Sequence, residues 1–204
     1  MKSFVASTVL VLSGLLVNAC GKQEVQASTI VQMVKTIKAD WQMIATESSV
    51  KFTAKYSGEN FKGHFSQFET QIKFDPANLE TAHVRAEIDL SSVDAGEIER
   101  TEALPGKDWF FVKSFPKAVF ESTSFIHQGG ENYLAQATLT LRGVTKEITL
   151  PFTLKIENNI AHMQGSLTLN RRDFDVGRGM WKSESDVGHQ VKVTITVKAQ
   201  KVSP

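Results

Sequence analysis

From about residue 40 onward, apolar and polar side chains alternate with a period of two. Val50, Phe52 and Ala54 are separated by Lys51 and Thr53, and Thr70, Ile72 and Phe74 by Gln71 and Lys73. Ala82, Val84, Ala86, Ile88 and Leu90 interleave with His83, Arg85, Glu87 and Asp89. The same rhythm runs through Ala135–Leu141, Ile148–Ile156 and Val191–Val197. Such alternation predicts half-buried antiparallel strands, because successive side chains of a strand point to opposite faces. Segments 61–66, 117–126 and 160–169 add candidates, giving about eight or nine strands. Ser57-Gly58-Glu59-Asn60, Asp75-Pro76-Ala77-Asn78, Gln128-Gly129-Gly130-Glu131-Asn132, Arg142-Gly143 and Glu157-Asn158-Asn159 supply the turns between them. The pattern predicts an all-β domain, either a sandwich or a barrel.

One stretch breaks the rhythm. Residues 91–117 show no alternation, and Ser92–Leu104 reads as a helix stopped by Pro105-Gly106. Asp108-Trp109-Phe110-Phe111 follows, with three aromatics in four residues. A connection this long inside a compact β-domain tends to be a lid or binding loop; the other reading is a helix that plugs one barrel end. Both place Trp109 and Phe110 over the interior.

The start of the chain is of another kind. Met1-Lys2-Ser3 precedes an apolar run from Phe4 to Val17, the two regions of a secretory leader and too short to span a bilayer. Val17-Asn18-Ala19-Cys20 resembles a bacterial lipoprotein processing box, in which Cys20 is acylated and becomes the first mature residue. Ordinary cleavage after Ala19 also satisfies the small-residue rule. The expected organisation is a leader over 1–19, a tether over 20–39 and a β-domain over 40–204. An acylated Cys20 implies a periplasmic protein anchored to a membrane, with Gly21 compatible with the outer one; an exported soluble protein is the alternative.

Composition narrows the function. The 204 residues suit one domain. There are 23 Lys and Arg against 22 Asp and Glu, and removal of the leader with Lys2 leaves 22 of each. No cationic excess exists to neutralise phosphates, which argues against nucleic acid as a partner. The single cysteine excludes an internal disulfide and a cysteine-based zinc site. No G-x-S-x-G elbow, H-E-x-x-H, P-loop or dinucleotide fingerprint is present. The five histidines lack metal-ligand spacing, and Arg178 stands where a calcium loop over Asp173–Glu184 needs glycine. Nothing calls for a metal, a cofactor or catalysis. Arg171-Arg172 suits a phosphate or the carbonyls and acids of its own loop.

The inward positions mix large with small: Phe52 with Ala54, Phe65 with Gly63, Leu139 with Ala137 and Ala135, and Phe120 with Ser122 and Ser124. A closed eight-stranded barrel either fills with such side chains or holds one ligand. Twelve phenylalanines beyond Phe4 supply apolar walls suited to an elongated apolar ligand.

Several runs together carry a family resemblance. They are Ser49-Val50-Lys51-Phe52, Gly63-His64-Phe65 and Phe74-Asp75-Pro76; Arg100 to Leu104 into Asp108-Trp109-Phe110; and Phe115-Pro116-Lys117-Ala118-x-Phe120-x-Ser122. The longest is Leu139-Thr140-Leu141-Arg142-Gly143-Val144-Thr145-Lys146-x-Ile148-x-Leu150-Pro151-Phe152, and Arg171-x-Asp173-Phe174-x-Val176-Gly177 closes the series. In this order, over roughly residues 40–200, the chain resembles the YceI-like family of secreted bacterial proteins. The resemblance implies an extended, lipocalin-like, eight-stranded antiparallel barrel with a helical lid segment. It also implies a lumen for a polyisoprenoid, an isoprenoid quinone or another amphipathic lipid, for carriage, storage or sensing. On that reading Phe52, Phe65, Phe74, Ile88, Phe120, Ala137, Leu139, Leu141 and Phe152 face the lumen. Leu104, Trp109 and Phe110 close its mouth, and Arg100 or Arg171 meets a polar head group. An alternative is a filled barrel that docks an envelope protein such as a membrane redox protein. Edge strands are compatible with a homodimer, which no residue demands.

Overall fold

The computed structural model describes residues 39–202, so the leader, Cys20 and nearly all of the tether lie outside the described residues. Eleven strand segments run in chain order: β1 Trp41–Met43, β2 Ser49–Tyr56, β3 Glu59–Phe65, β4 Phe68–Lys73, β5 His83–Asp89, β6 Val93–Asp94, β7 Lys117–Gly129, β8 Asn132–Leu141, β9 Val144–Glu157, β10 Ile160–Asn170 and β11 Gln190–Lys201. All pair antiparallel with their neighbours, and β1 joins β4 on one side to β11 on the other. The ring β1-β4-β5-β7-β8-β9-β10-β11 is therefore closed, as an eight-stranded barrel.

The three remaining segments continue staves already in the ring. β2 resumes β1 along β11, with Val50 opposite Ile195 where β1 set Trp41 opposite Lys201. β3 and β4 are likewise halves of one stave interrupted at Ser66-Gln67, and β5 and β6 of another interrupted by a 3-10 turn at Leu90–Ser92. Each of the first three staves is thus broken once, which divides the barrel into an upper half at the β2–β3 hairpin and a lower half at Trp41. Closure leaves few unpaired edges for association.

The strand expectations from alternation fall on these elements, and three hairpins carry the expected turn chemistry. Both central residues of Ser57-Gly58, Arg142-Gly143 and Asn158-Asn159 have positive φ, the twist that a two-residue hairpin loop needs. Two expectations are corrected. The helix over Ser92–Leu104 is only α1, Ile98–Ala103. Val93 and Ala95 are buried on either side of exposed Asp94, so strand pairing with β3 claims them, and Gly96 at φ +80 breaks the chain before Glu97. Ser124 does not face inward. A bulge between Ser122 and Ser124 shifts the phase of β7, and the Ser122 hydroxyl accepts the Val84 N–H at 2.8 Å. Phe125 takes the inward place instead.

Candidate functional site

The barrel interior is not filled. Two voids lie end to end inside it, of about 190 Å³ below and about 470 Å³ above. Val50, Ile88, Leu139, Leu169 and Val193 border both and form a waist between them. The period-two pattern built these walls: alternate residues of every stave point in, and nearly all are apolar.

The lower chamber is lined by aliphatic and aromatic side chains, with Thr70 its one hydroxyl. Its aromatic floor comprises Phe74, Phe125 and Phe152, with Phe74 and Phe125 edge-on at 5.0 Å and Phe152 backed by Tyr133, stacked on it at 5.4 Å. Trp41 seals this end, its indole N–H donating to the Phe74 carbonyl at 2.9 Å. The upper chamber has apolar sides formed by Phe52, Phe61, Phe65, Leu141 and Phe110, but its rim is polar. Exposed Tyr56, Glu97 and Glu99, together with Arg100, border the void there and bring it to the surface. Arg100 lies 4.8 Å over the Phe61 ring and pairs with Glu97 at 3.0 Å. The site is therefore amphipathic along its length.

A lid of residues 95–116 covers one side of the upper chamber. Leu104, Trp109 and Phe110 turn toward the void, with Phe110 5.8 Å from Phe65. The lid is held from its carbonyls. Asp108 O accepts both Gly177 N–H and Arg178 N–H at 2.8 Å, and Trp109 O accepts Arg142 Nη1–H at 2.7 Å. The Arg142 side chain is almost wholly buried, and burial pulls its guanidinium below the usual arginine value, with Asp175 opposing that effect at 3.9 Å.

Of the residues expected at the lumen from sequence, Phe52, Phe65, Leu104, Trp109, Phe110, Leu141 and Arg100 border the upper void. Phe74, Phe120 and Phe152 border the lower one, and Ile88 and Leu139 stand at the waist. Ala137 does not reach either void. It is 3% exposed in the row of Ala135 and Leu139, covered between Ser122 and Ile148 on the neighbouring strands.

Arg171 also borders the upper void, but its donors turn to its own loop. Its Nε–H donates to Gly188 O, its Nη1 to Val176 O and Gly177 O, and its Nη2 to Trp181 O and Val187 O. All five N–H donors are committed, so none remains for a head group. Burial lowers its pKa, as does the neighbouring Arg172. Arg171 is the keystone of the loop over 171–189. On the outer wall His83 stands 3.2 Å from Glu121.

Sequence reasoning missed Trp41, Phe61, Phe68, Phe125 and Trp181 as wall residues. Phe68 was within reach of the pattern, since it extends the alternation of Thr70, Ile72 and Phe74 by one step. Among the described residues, no group of three or more His, Cys, Asp or Glu is placed to hold a metal ion.

Known proteins show the same construction. The family model described as "YceI-like domain" matches residues 41–199. A UPF0312 protein of Yersinia pestis is 30% identical over 145 residues, spanning 68% of this chain and 75% of that protein. The crystal structure of Burkholderia cenocepacia BcnA superposes with a TM-score of 0.75 at 31% identity, over 78% of this chain and 100% of that one. A polyisoprenoid binding domain from Saccharophagus degradans, implicated in plant cell wall breakdown, shares the fold at a TM-score of 0.64 and 18% identity, over 80% and 99% of the two chains.

Proposed function

The chain belongs to the YceI-like family, and from that premise we propose that it binds an amphipathic lipid, a polyisoprenoid or isoprenoid quinone, within the barrel. One observation carries the reading: two predominantly apolar chambers meet at a shared waist, and the exposed polar side chains that border them gather at the upper rim. An elongated tail fits such an interior, with a polar head at the Arg100 end. The upper void lies within the range of small-molecule sites, about 300–1,000 Å³, whereas the lower alone falls short of it. A tail that passes the waist uses both. The open interior favours this reading over a filled barrel that serves only as a docking module, and the polyisoprenoid binding domain of the same fold is consistent with it.

Energetics define the role. Each methylene taken from water contributes about 0.8 kcal/mol, so a long tail binds strongly relative to water. A bilayer is equally apolar, and transfer between membrane and barrel is nearly balanced. Such a balance suits carriage or exchange better than irreversible capture. Acylation at Cys20 would keep the domain near a membrane in the bacterial envelope, since more than one acyl chain anchors firmly where a single one does not.

Native mass spectrometry with organic extraction, on protein purified from its own host envelope, tests the proposal. A stoichiometric isoprenoid is the expected result. An empty protein that also takes up no such lipid from vesicles overturns it. The mass of the amino-terminal peptide reports the state of Cys20 in the same preparation.

A further inference from the structure

A lipid ligand has to cross from a bilayer into the upper chamber, and the rim of that chamber carries apolar side chains the barrel does not use. Met180 is 77% exposed, Ile98 73% and Tyr56 40%. They come from three separate segments, the turn at Gly179–Lys182, α1 and the β2–β3 hairpin. Their neighbours in those segments, or they themselves, border one opening: Tyr56, Glu97, Glu99 and Trp181 all line the upper void. The segments are also tied together. Tyr56 bridges to Val187, Ser57 N–H donates to Asp186 O at 2.7 Å, and Trp181 packs on Trp109 of the lid at 5.7 Å. Large exposed apolar groups gathered around a cavity mouth and rimmed by polar ones mark a surface for a partner or a membrane.

We propose that this rim docks on a zwitterionic phospholipid bilayer, with Met180 and Ile98 entering the interface beside the chamber mouth. The charges on the rim argue for that partner. Lys55, Lys182 and Arg178 flank Tyr56 and Met180, while Glu97 and Glu99 flank Ile98. Arg178 pairs with Asp175 at 3.2 Å, and Glu59, Glu184 and Asp186 stand in the same loops, so the rim carries both signs and no cationic excess. Phosphate and ammonium of a phosphatidylethanolamine or phosphatidylcholine surface complement both signs, where an anionic surface complements only one. Apolar side chains bordered by such groups are the composition of an interfacial anchor. The inference goes beyond lipid binding in the lumen, because it assigns the surface through which exchange occurs. The rim also lies at the barrel end opposite Trp41.

Hydrogen–deuterium exchange on the full chain, with and without vesicles of phosphatidylethanolamine and phosphatidylcholine that contain no isoprenoid, tests the proposal locally. Amides of residues 97–100 and 178–183 should exchange on the order of tenfold more slowly with vesicles, and those of the Asn158-Asn159 hairpin at the opposite end should not change. Ile98→Ser with Met180→Ser should abolish that protection while exchange within β8–β11 stays as in the parent, which shows the barrel intact. Ile126→Ser, an exposed apolar change toward the lower end and outside both chambers, should keep it. Absence of rim protection, protection at the lower end, or protection that survives the double substitution overturns the docking surface. Protection that appears only when phosphatidylglycerol is added overturns the zwitterionic partner. Failure of the lumen reading shows separately, as protein from which no lipid can be extracted.

Discussion

The Phe52 ring occupies the space that a side chain on Gly63 would need. The two residues face each other across β2 and β3, and a Cβ on Gly63 would run into Phe52 Cζ on one side and come within 2.5 Å of the Asp94 carbonyl oxygen on the other. The ring thereby covers a glycine in a strand and gains a flat seat in the upper wall. Gly63→Ala should lower stability by about 2 kcal/mol, because the backbone contact cannot relax as a flexible side chain could. Urea denaturation measures it. An unchanged midpoint would show that β6 moves freely and that the wall is not held there.

Arg171 should prove structural, not a ligand contact. Removing it leaves several buried carbonyls without donors, each costing about 1–3 kcal/mol. Arg171→Met is expected to unfold the loop over 171–189 and expose it to limited proteolysis. Arg171→Lys should rescue little, since three donors on a flexible stem cannot replace a planar fork of five. A lysine variant with the parent's stability and a specific loss of lipid binding would return Arg171 to the head group.

The strands and the chamber walls were legible in the sequence because period-two alternation is a local property with a global meaning. Val50-Phe52-Ala54 and Ala135-Leu139 face inward for the same reason that Lys51 and Thr138 face out. What stayed hidden depends on partners distant in sequence. At the bulge the Ser122 hydroxyl accepts from Val84 N–H, 38 residues away in the chain, and the register shift exchanges Ser124 for Phe125 at the wall. β6 forms because β3 is beside it, although Ser92–Leu104 has a respectable helical composition. Nothing local to Arg171-Arg172 distinguishes a phosphate contact from a clamp on carbonyls as far away as Gly188.

An acid-sensitive ion network on the outer wall should be measurable at Glu87. Lys117 donates to this carboxylate at 2.6 Å and Arg85 at 2.9 Å, and these bonds hold its pKa below the ordinary value. A lowered native pKa means stability that is present above the unfolded-state pKa and lost as pH falls through the native one. Glu87→Gln should therefore lower the urea midpoint at pH 7, with the gap between variant and parent closing as the solution is acidified below the usual glutamate range. A gap independent of pH would show that the carboxylate contributes by shape and not by charge. High salt should narrow the gap at pH 7, because the network is half exposed.

The waist decides how much of a ligand the barrel can hold. Leu139 borders both chambers and faces Phe120 across β7 and β8. Leu139→Trp adds bulk where the two voids meet and should separate them, leaving the upper chamber with its rim and lid intact. A tail that passes the waist then loses its lower portion to water or leaves altogether, and every two methylenes excluded correspond to about tenfold in affinity relative to water. The variant should carry shorter isoprenoids than the parent when both are expressed in the same host and their extracts weighed by mass spectrometry. Ala135→Trp, which fills the lower chamber from within, should give the same shortening through a different wall. Thermal melting of both variants separates this effect from unfolding. Retention of the parent's ligand, at the same length and occupancy in both folded variants, would place the tail wholly above the waist.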